Sequence, residues 1–370
     1  MNTFKFIGHI KPMKENTFVT KDCESGWRLN SLKFLMVCGT DSQFVELTYG
    51  KYPNDDKNKA FISVKNGDKY ESKEIKWVDR LNPENIEAVP VYKRYIIDTD
   101  TKQHREEIEK GGNDTELSAS KKKRTEYINS YDFGERLRAI VVEKAEAIKT
   151  WKFEVTGSVE LARSNKDGRV YRKFVPQHVI RVPEDTEPVC EGTLDLFFNR
   201  NDVEVNENGD LDVKAYLQYY EKAFKDGPTK GKFFTEIPTV VKKETGKVEG
   251  YQKLFTKKTD AEVRQMGMKV YFKNGSDKQP ITEATLTDEQ KEMIELGIMT
   301  LEQISAANNG GVYGDRVTEV RLNIPSAKYT SGPEDTAFSV DDLTASPTDS
   351  VNKASVDEVI DAIDDDDDII

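Results

Sequence analysis

The 370-residue sequence predicts a mainly β protein with inserted helices, built as two small barrels and followed by a disordered acidic tail. Three observations carry this expectation. Short alternating runs rich in Val, Ile, Phe and Tyr recur along the chain, separated by turn residues. Each half opens with a strand holding a mid-strand glycine, Phe6-Ile7-Gly8-His9-Ile10 and Val155-Thr156-Gly157-Ser158-Val159. A strand that bends sharply to close a small barrel needs such a glycine. From Thr330 onward the composition collapses to Ser, Thr, Asp, Pro and Ala, which leaves little to bury.

In the first unit, residues 1–149, strands are expected at 4–10, 29–38, 44–49, 61–64, 75–78 and 89–97. Turns such as Cys38-Gly39-Thr40-Asp41 and Lys65-Asn66-Gly67-Asp68 separate them. The stretch 99–124 has only Ile108 and Leu117 as large apolar residues and ends in Lys121-Lys122-Lys123-Arg124, so it reads as a long charged loop. A helix follows over 127–149, with Leu137, Val141, Ala145 and Ile148 at helical spacing.

The second unit, residues 150–330, opens on a hairpin of two long strands, 151–161 and 169–182, around Asn165-Lys166-Asp167-Gly168. A strand at 192–198 follows, then a helix at 212–224 from Val213, Tyr216, Leu217, Tyr220 and Phe224. A helical stretch at 287–307, broken at Gly297, and a last strand at 317–324 complete the unit. Residues 331–370 form the expected tail.

The formal net charge is −12, from 55 Lys and Arg against 67 Asp and Glu. Residues 331–370 hold 13 of the acids and one base, Lys353, so residues 1–330 are balanced. An acidic whole is therefore compatible with basic faces on the folded body and with a polyanionic partner. Cys23, Cys38 and Cys190 give neither a disulfide framework nor a metal pair, and read as free thiols packed as small hydrophobes. No apolar run is long enough to span a bilayer, and the start lacks a signal-peptide pattern, so a cytoplasmic protein is expected.

His9, His104 and His178 are scattered, and no HExxH, GxSxG or phosphate-loop motif occurs. A non-enzyme with no cofactor, metal or small-molecule substrate is expected. The strand 169–182 carries Arg169, Tyr171, Lys173, Gln177 and Arg181 on one face, opposite Val170, Phe174 and Ile180. Cations neutralise phosphates and aromatics stack on unpaired bases, so that face is a candidate for single-stranded nucleic acid. Trp27, Lys33, Tyr92, Lys93, Tyr95 and Arg200 lie in strands of the same basic and aromatic mixture and join the candidate set.

The tail ends Asp364-Asp365-Asp366-Asp367-Asp368-Ile369-Ile370. Repulsion keeps the acids extended, and the two isoleucines offer an apolar anchor beside the terminal carboxylate. This end resembles the acidic C-terminal tip of bacterial and bacteriophage single-stranded DNA-binding proteins, although it lacks the proline and phenylalanine that close the bacterial form. The resemblance implies OB-fold barrels, five-stranded and Greek-key, and a phage-encoded chain that coats single-stranded DNA in replication, recombination or repair. It also implies that the tail recruits replication and recombination proteins and competes for the DNA groove. A phage structural or assembly protein is the rival expectation, and an acidic DNA mimic a third.

Overall fold

The computed structural model describes residues 2–66, 69–164, 168–221, 230–279, 286–307 and 312–347. The protein is mainly β, with helices inserted between strands. The chain begins with β1 (Thr3–Pro12), β2 (Phe18–Asp22), β3 (Arg28–Cys38) and β4 (Asp41–Lys51). Strict alternation forms the last two. Leu32, Phe34 and Met36 of β3, and Val45, Leu47 and Tyr49 of β4, are buried, while the residues between them face outward.

A separate hairpin, β5 (Lys59–Asn66) and β6 (Lys69–Lys76), precedes α1 (Pro83–Glu87) and β7 (Tyr95–Asp98). Next come α2 (Lys102–Gly111), α3 (Asp114–Lys121), β8 (Arg124–Tyr127), α4 (Ser130–Arg138) and α5 (Ala145–Ile148). The stretch expected to be a charged loop is thus largely helical. Thr101 and Asn113 cap the two helices with side-chain oxygens, and Gly112, at φ 69°, turns between them. Capping and a buried ion pair from Arg105 to Asp98 stand in for the apolar face that the sequence lacks. The expected 127–149 helix is present as α4, a π turn and α5, and it buries Leu137, Val141 and Ile148.

The long hairpin β9 (Lys152–Arg163) and β10 (Val170–Val182) closes the first barrel. β1 pairs with β3 and β9, β3 with β4, β9 with β10, and β10 meets β4 in parallel at Phe174 and Val45. The circuit β1-β3-β4-β10-β9 is the five-stranded Greek-key closure of an OB fold. The division between the units therefore lies within 183–188, not between 149 and 150.

The second circuit repeats the first. It comprises β11 (Val189–Val205), β12 (Leu211–Glu221), β13 (Gly231–Val241), α6 (Val248–Phe255), β14 (Val263–Gln279), α7 (Asp288–Glu295), α8 (Leu301–Ala307) and β15 (Val312–Pro325). β11 pairs with β12 and β14, β12 with β13, β14 with β15, and β13 runs parallel to β15 at Thr239 and Val320. In place of the helix expected over 212–224, residues 211–221 form the strand β12, and residues 222–224 lie outside the described residues. Leu211, Val213, Ala215, Leu217 and Tyr219 are buried at period two, a pattern that also satisfies part of a helical stripe. In barrel order the counterpart of β1 is β11 with Gly192, not β9 with Gly157. At Gly8 a Cβ would sit 2.1 Å from the Val37 carbonyl oxygen, so only glycine fits where β1 passes β3.

The barrels are fused. Residues 3–7 of β1 lie between β9 on one side and β11 on the other, and β4 touches β14 at Asp41 and Gly275. Phe4, Phe6 and Phe174 from one barrel and Phe272 from the other form a cluster with centroids 4.6–6.0 Å apart, edge-to-face except for the tilted Phe4–Phe6 pair. Beside it, Asp41 accepts from the Tyr271 hydroxyl (2.6 Å), the Asn274 N–H (3.0 Å) and Lys273 Nζ (3.1 Å).

The expected tail is not structureless from residue 331. β16 (Glu334–Asp335) pairs with β14, and α9 (Val340–Thr344) lies against β13. Phe338 and Leu343 join Phe197, Tyr216, Phe234 and Val263 in an apolar cluster on the outside of the second barrel. Residues 348–370 lie outside the described residues. Among the described residues no helix is long and apolar enough to cross a membrane.

Candidate nucleic-acid interface

In OB folds, oligonucleotides lie on the face of the second and third strands. In the first barrel these are β3 and β4, joined at the parallel seam by β10. Their outward residues include Ser31, Lys33 and Leu35 on β3 and Ser42, Phe44, Glu46 and Thr48 on β4. The register sets Lys33 opposite Glu46 and Leu35 opposite Phe44. Lys173 of β10 reaches the same Glu46 oxygen at 3.4 Å, and Lys33 approaches it at 3.6 Å. Two cations thus share one acid, which leaves the trio with net positive charge. Phe44 is 55% exposed and Tyr171 is 47% exposed. The seam pairing of Phe174 with Val45 places their strand segments side by side on this face.

Phe44 was not among the sequence candidates, though a signal existed. It is the one large apolar residue in the polar phase Ser42, Phe44, Glu46, Thr48 of an otherwise clean alternation. An exposed phenylalanine there has no packing role in the barrel.

The sequence candidates separate. Tyr171 and Lys173 stay on the outer face, and Arg169 is exposed just before β10. A bulge between Pro176 and His178 then slips the register by one residue. Beyond it Val179, not Ile180, is buried, so Arg181 no longer shares the face of Tyr171. Its guanidinium lies over the Trp151 ring at 4.1 Å. Gln177, at the bulge, donates to the Tyr92 and Arg94 carbonyls at 3.0 and 3.2 Å, which ties β10 to the approach of β7.

Trp27 packs edge-on against Tyr52 over Gly50. Tyr95 is largely buried on Phe133, and burial raises its hydroxyl pKa. Both belong to packing rather than to an open face. Exposed Tyr92 donates to the Tyr70 hydroxyl, and Lys93 covers the Tyr70 ring at 4.1 Å and donates to Ser63. That pair fastens the β5–β6 hairpin. Arg200 sits on β11, in the other barrel. Residues Asp364 to Ile370 lie outside the described residues.

One further cation lies beside the site, on the face of β10 opposite Tyr171 and Lys173. Arg172 lines a cavity of about 310 Å3 between the barrels, with Phe44, Leu161, Leu217, Glu236 and Asn274. Its guanidinium lies 5.2 Å from the Phe174 ring centre and 5.0 Å from that of Phe272. Among the described residues it has no acid partner, and burial pulls its pKa down to about 10. A half-buried guanidinium without a carboxylate is stabilised by any anion that enters the cleft.

No family model matches the chain, and no curated protein matches it in sequence. The solved structures that show a likeness include two of the single-stranded DNA-binding protein from Thermus aquaticus. The wild-type protein is 10% identical, with 75% of this chain and 86% of that one covered and a TM-score of 0.31. A deletion mutant of it is 8% identical, with 75% and 87% covered and a TM-score of 0.31. At that level the OB assignment stands on strand order alone.

Proposed function

We propose that this chain is a non-enzymatic single-stranded DNA-binding protein that coats exposed strands during replication or recombination. The observation that supports this best is the outer face of the first barrel. There two exposed aromatics, Phe44 and Tyr171, stand with Lys33 and Lys173, and Phe44 also borders the cleft that holds Arg172. Aromatic faces stack on unpaired bases and cations neutralise the phosphates between them, a combination suited to single strands of any sequence. Residues 348–370, with nine acids and one base, then serve as the segment that recruits partner proteins.

The test is fluorescence titration with single-stranded and duplex DNA of equal length at two salt concentrations. Single strands should bind much more tightly than duplex, and added salt should weaken the binding. Phe44→Ala with Tyr171→Ala should lower affinity while the thermal midpoint holds. Equal affinity for both DNA forms overturns the reading, and no binding to either favours a structural role.

A further inference from the structure

We propose that the outer face of the second barrel is another single-strand-binding surface, one that residues 334–344 of the same chain keep covered until a strand displaces them. This rests on the single-strand reading above and adds a site to it. β12 and β13 occupy the barrel positions that β3 and β4 occupy in the first unit. Their outward rows are Lys214, Tyr216, Gln218 and Tyr220 on β12, and Lys232, Phe234, Glu236 and Pro238 on β13. With Phe197 of β11 opposite Tyr216, three aromatics converge on the outside of the sheet. The first barrel leaves its corresponding face open to solvent. Here Phe338 lies on the aromatics, 5.0 Å from Phe234 and 5.8 Å from Phe197, and Leu343 is buried beside them. The covering ring occupies the place where a base would stack.

The cover is held lightly. β16 contributes a two-residue ladder. Thr336 donates its N–H and its hydroxyl to the Val263 carbonyl, at 3.1 and 2.7 Å. The Val340 N–H reaches Glu262 at 3.1 Å, and Asp335 pairs with Arg264 while half exposed. With the exposed Lys328–Glu334 pair and the Arg264 bond to the Pro333 carbonyl added, the segment is still fixed mainly at its first few residues, and the part around its five-residue helix opens locally without unfolding the barrel beneath it. Lys232 and Tyr220 on the same face are exposed and not under the cover, as is Lys214, which pairs with Glu236 at 3.1 Å, so an incoming strand has cations and an aromatic to engage first.

Charge identifies the competitor. The cover holds Glu334, Asp335, Asp341 and Asp342 and leads directly into 348–370, which carries nine acids against one base. A polyanion arriving on Lys214 and Lys232 repels that chain, so strand binding and cover release favour each other.

The test uses the full chain and an oligothymidylate. Phe338→Ala leaves every charge in place and uncovers the aromatics. Since a stacked base is worth roughly five- to 150-fold in affinity, this variant should bind at least about fivefold more tightly than wild type. Adding Phe234→Ala should erase the gain. In the wild-type protein, saturating oligonucleotide should speed amide hydrogen exchange across 334–347, a measurement that needs no variant to fold. If wild type binds the oligonucleotide but Phe338→Ala binds no better, or exchange across 334–347 stays constant or slows, the covered site is refuted while the single-strand reading stands. Failure of both proteins to bind refutes both.

Discussion

Removing the Asp41 carboxylate should be among the most damaging single changes in the molecule, because it sits where the barrels join. Its side chain is 1% exposed and that of its partner Lys273 is 4% exposed. Asp41→Ala leaves the Lys273 ammonium inside, with the Ser276 carbonyl and the more exposed Asp277 at 3.2 Å. It also strips the acceptor from the Tyr271 hydroxyl and the Asn274 N–H. Breaking a buried pair from one side costs about 3–5 kcal/mol, most of it the penalty of the stranded charge. Asp277 offsets part of that, and the two orphaned donors add to it, so about 3–5 kcal/mol remains the expectation. Equilibrium urea unfolding followed by circular dichroism measures the loss. Lys273→Met in the same background supplies the control, because it removes the stranded charge. The double variant should be more stable than the sum of the two single losses by about 1 kcal/mol or more. A cost under about 1 kcal/mol for Asp41→Ala, or strict additivity, would refute the claim that this ion pair holds the junction.

Two more tests follow from the charges. Glu46 occupies both Lys33 and Lys173, so Glu46→Gln should release two cations to the binding face, tightening single-strand binding and steepening its dependence on salt; an unchanged slope would place the DNA elsewhere. Burial opposes ionisation of Asp100, but hydrogen bonds from Ser120, Lys123 and His104 outweigh it and hold the carboxyl well below its usual range. Asp210 is likewise lowered, burial being outweighed by Lys242 and the Lys243 N–H. A depressed folded pKa contributes stability that is complete above the unfolded value of about 3.9 and is lost as pH falls toward the folded one. The urea midpoint should therefore drop as pH is lowered below about 4, and less steeply in Asp100→Asn; equal slopes would remove Asp100 from the account.

By itself the sequence determined what local periodicity and composition encode. Alternation in 29–38 and 44–49 marked two strands. The stripe Leu137, Val141, Ile148 marked the helix between them and the closing hairpin, and turn chemistry marked that hairpin itself. These patterns depend on neighbours a few residues away, and a single chain displays them directly. The tertiary structure alone decided which elements belong together. The hairpin 152–182 pairs with β1 and β4, from 129 to 155 residues earlier in the chain, and nothing in its own residues distinguishes those partners from strands that follow it. Residues 211–221 satisfy both a helical and a strand period, and only the ladder to β13 selects between them. One bulge at Gln177 turned Arg181 away from Tyr171, since a one-residue slip reverses every side chain beyond it. Phe338 and Leu343 were too sparse to promise a core. They are buried because the second barrel offers them an aromatic patch, and that patch exists only once three strands have brought Phe197, Tyr216 and Phe234 onto one face.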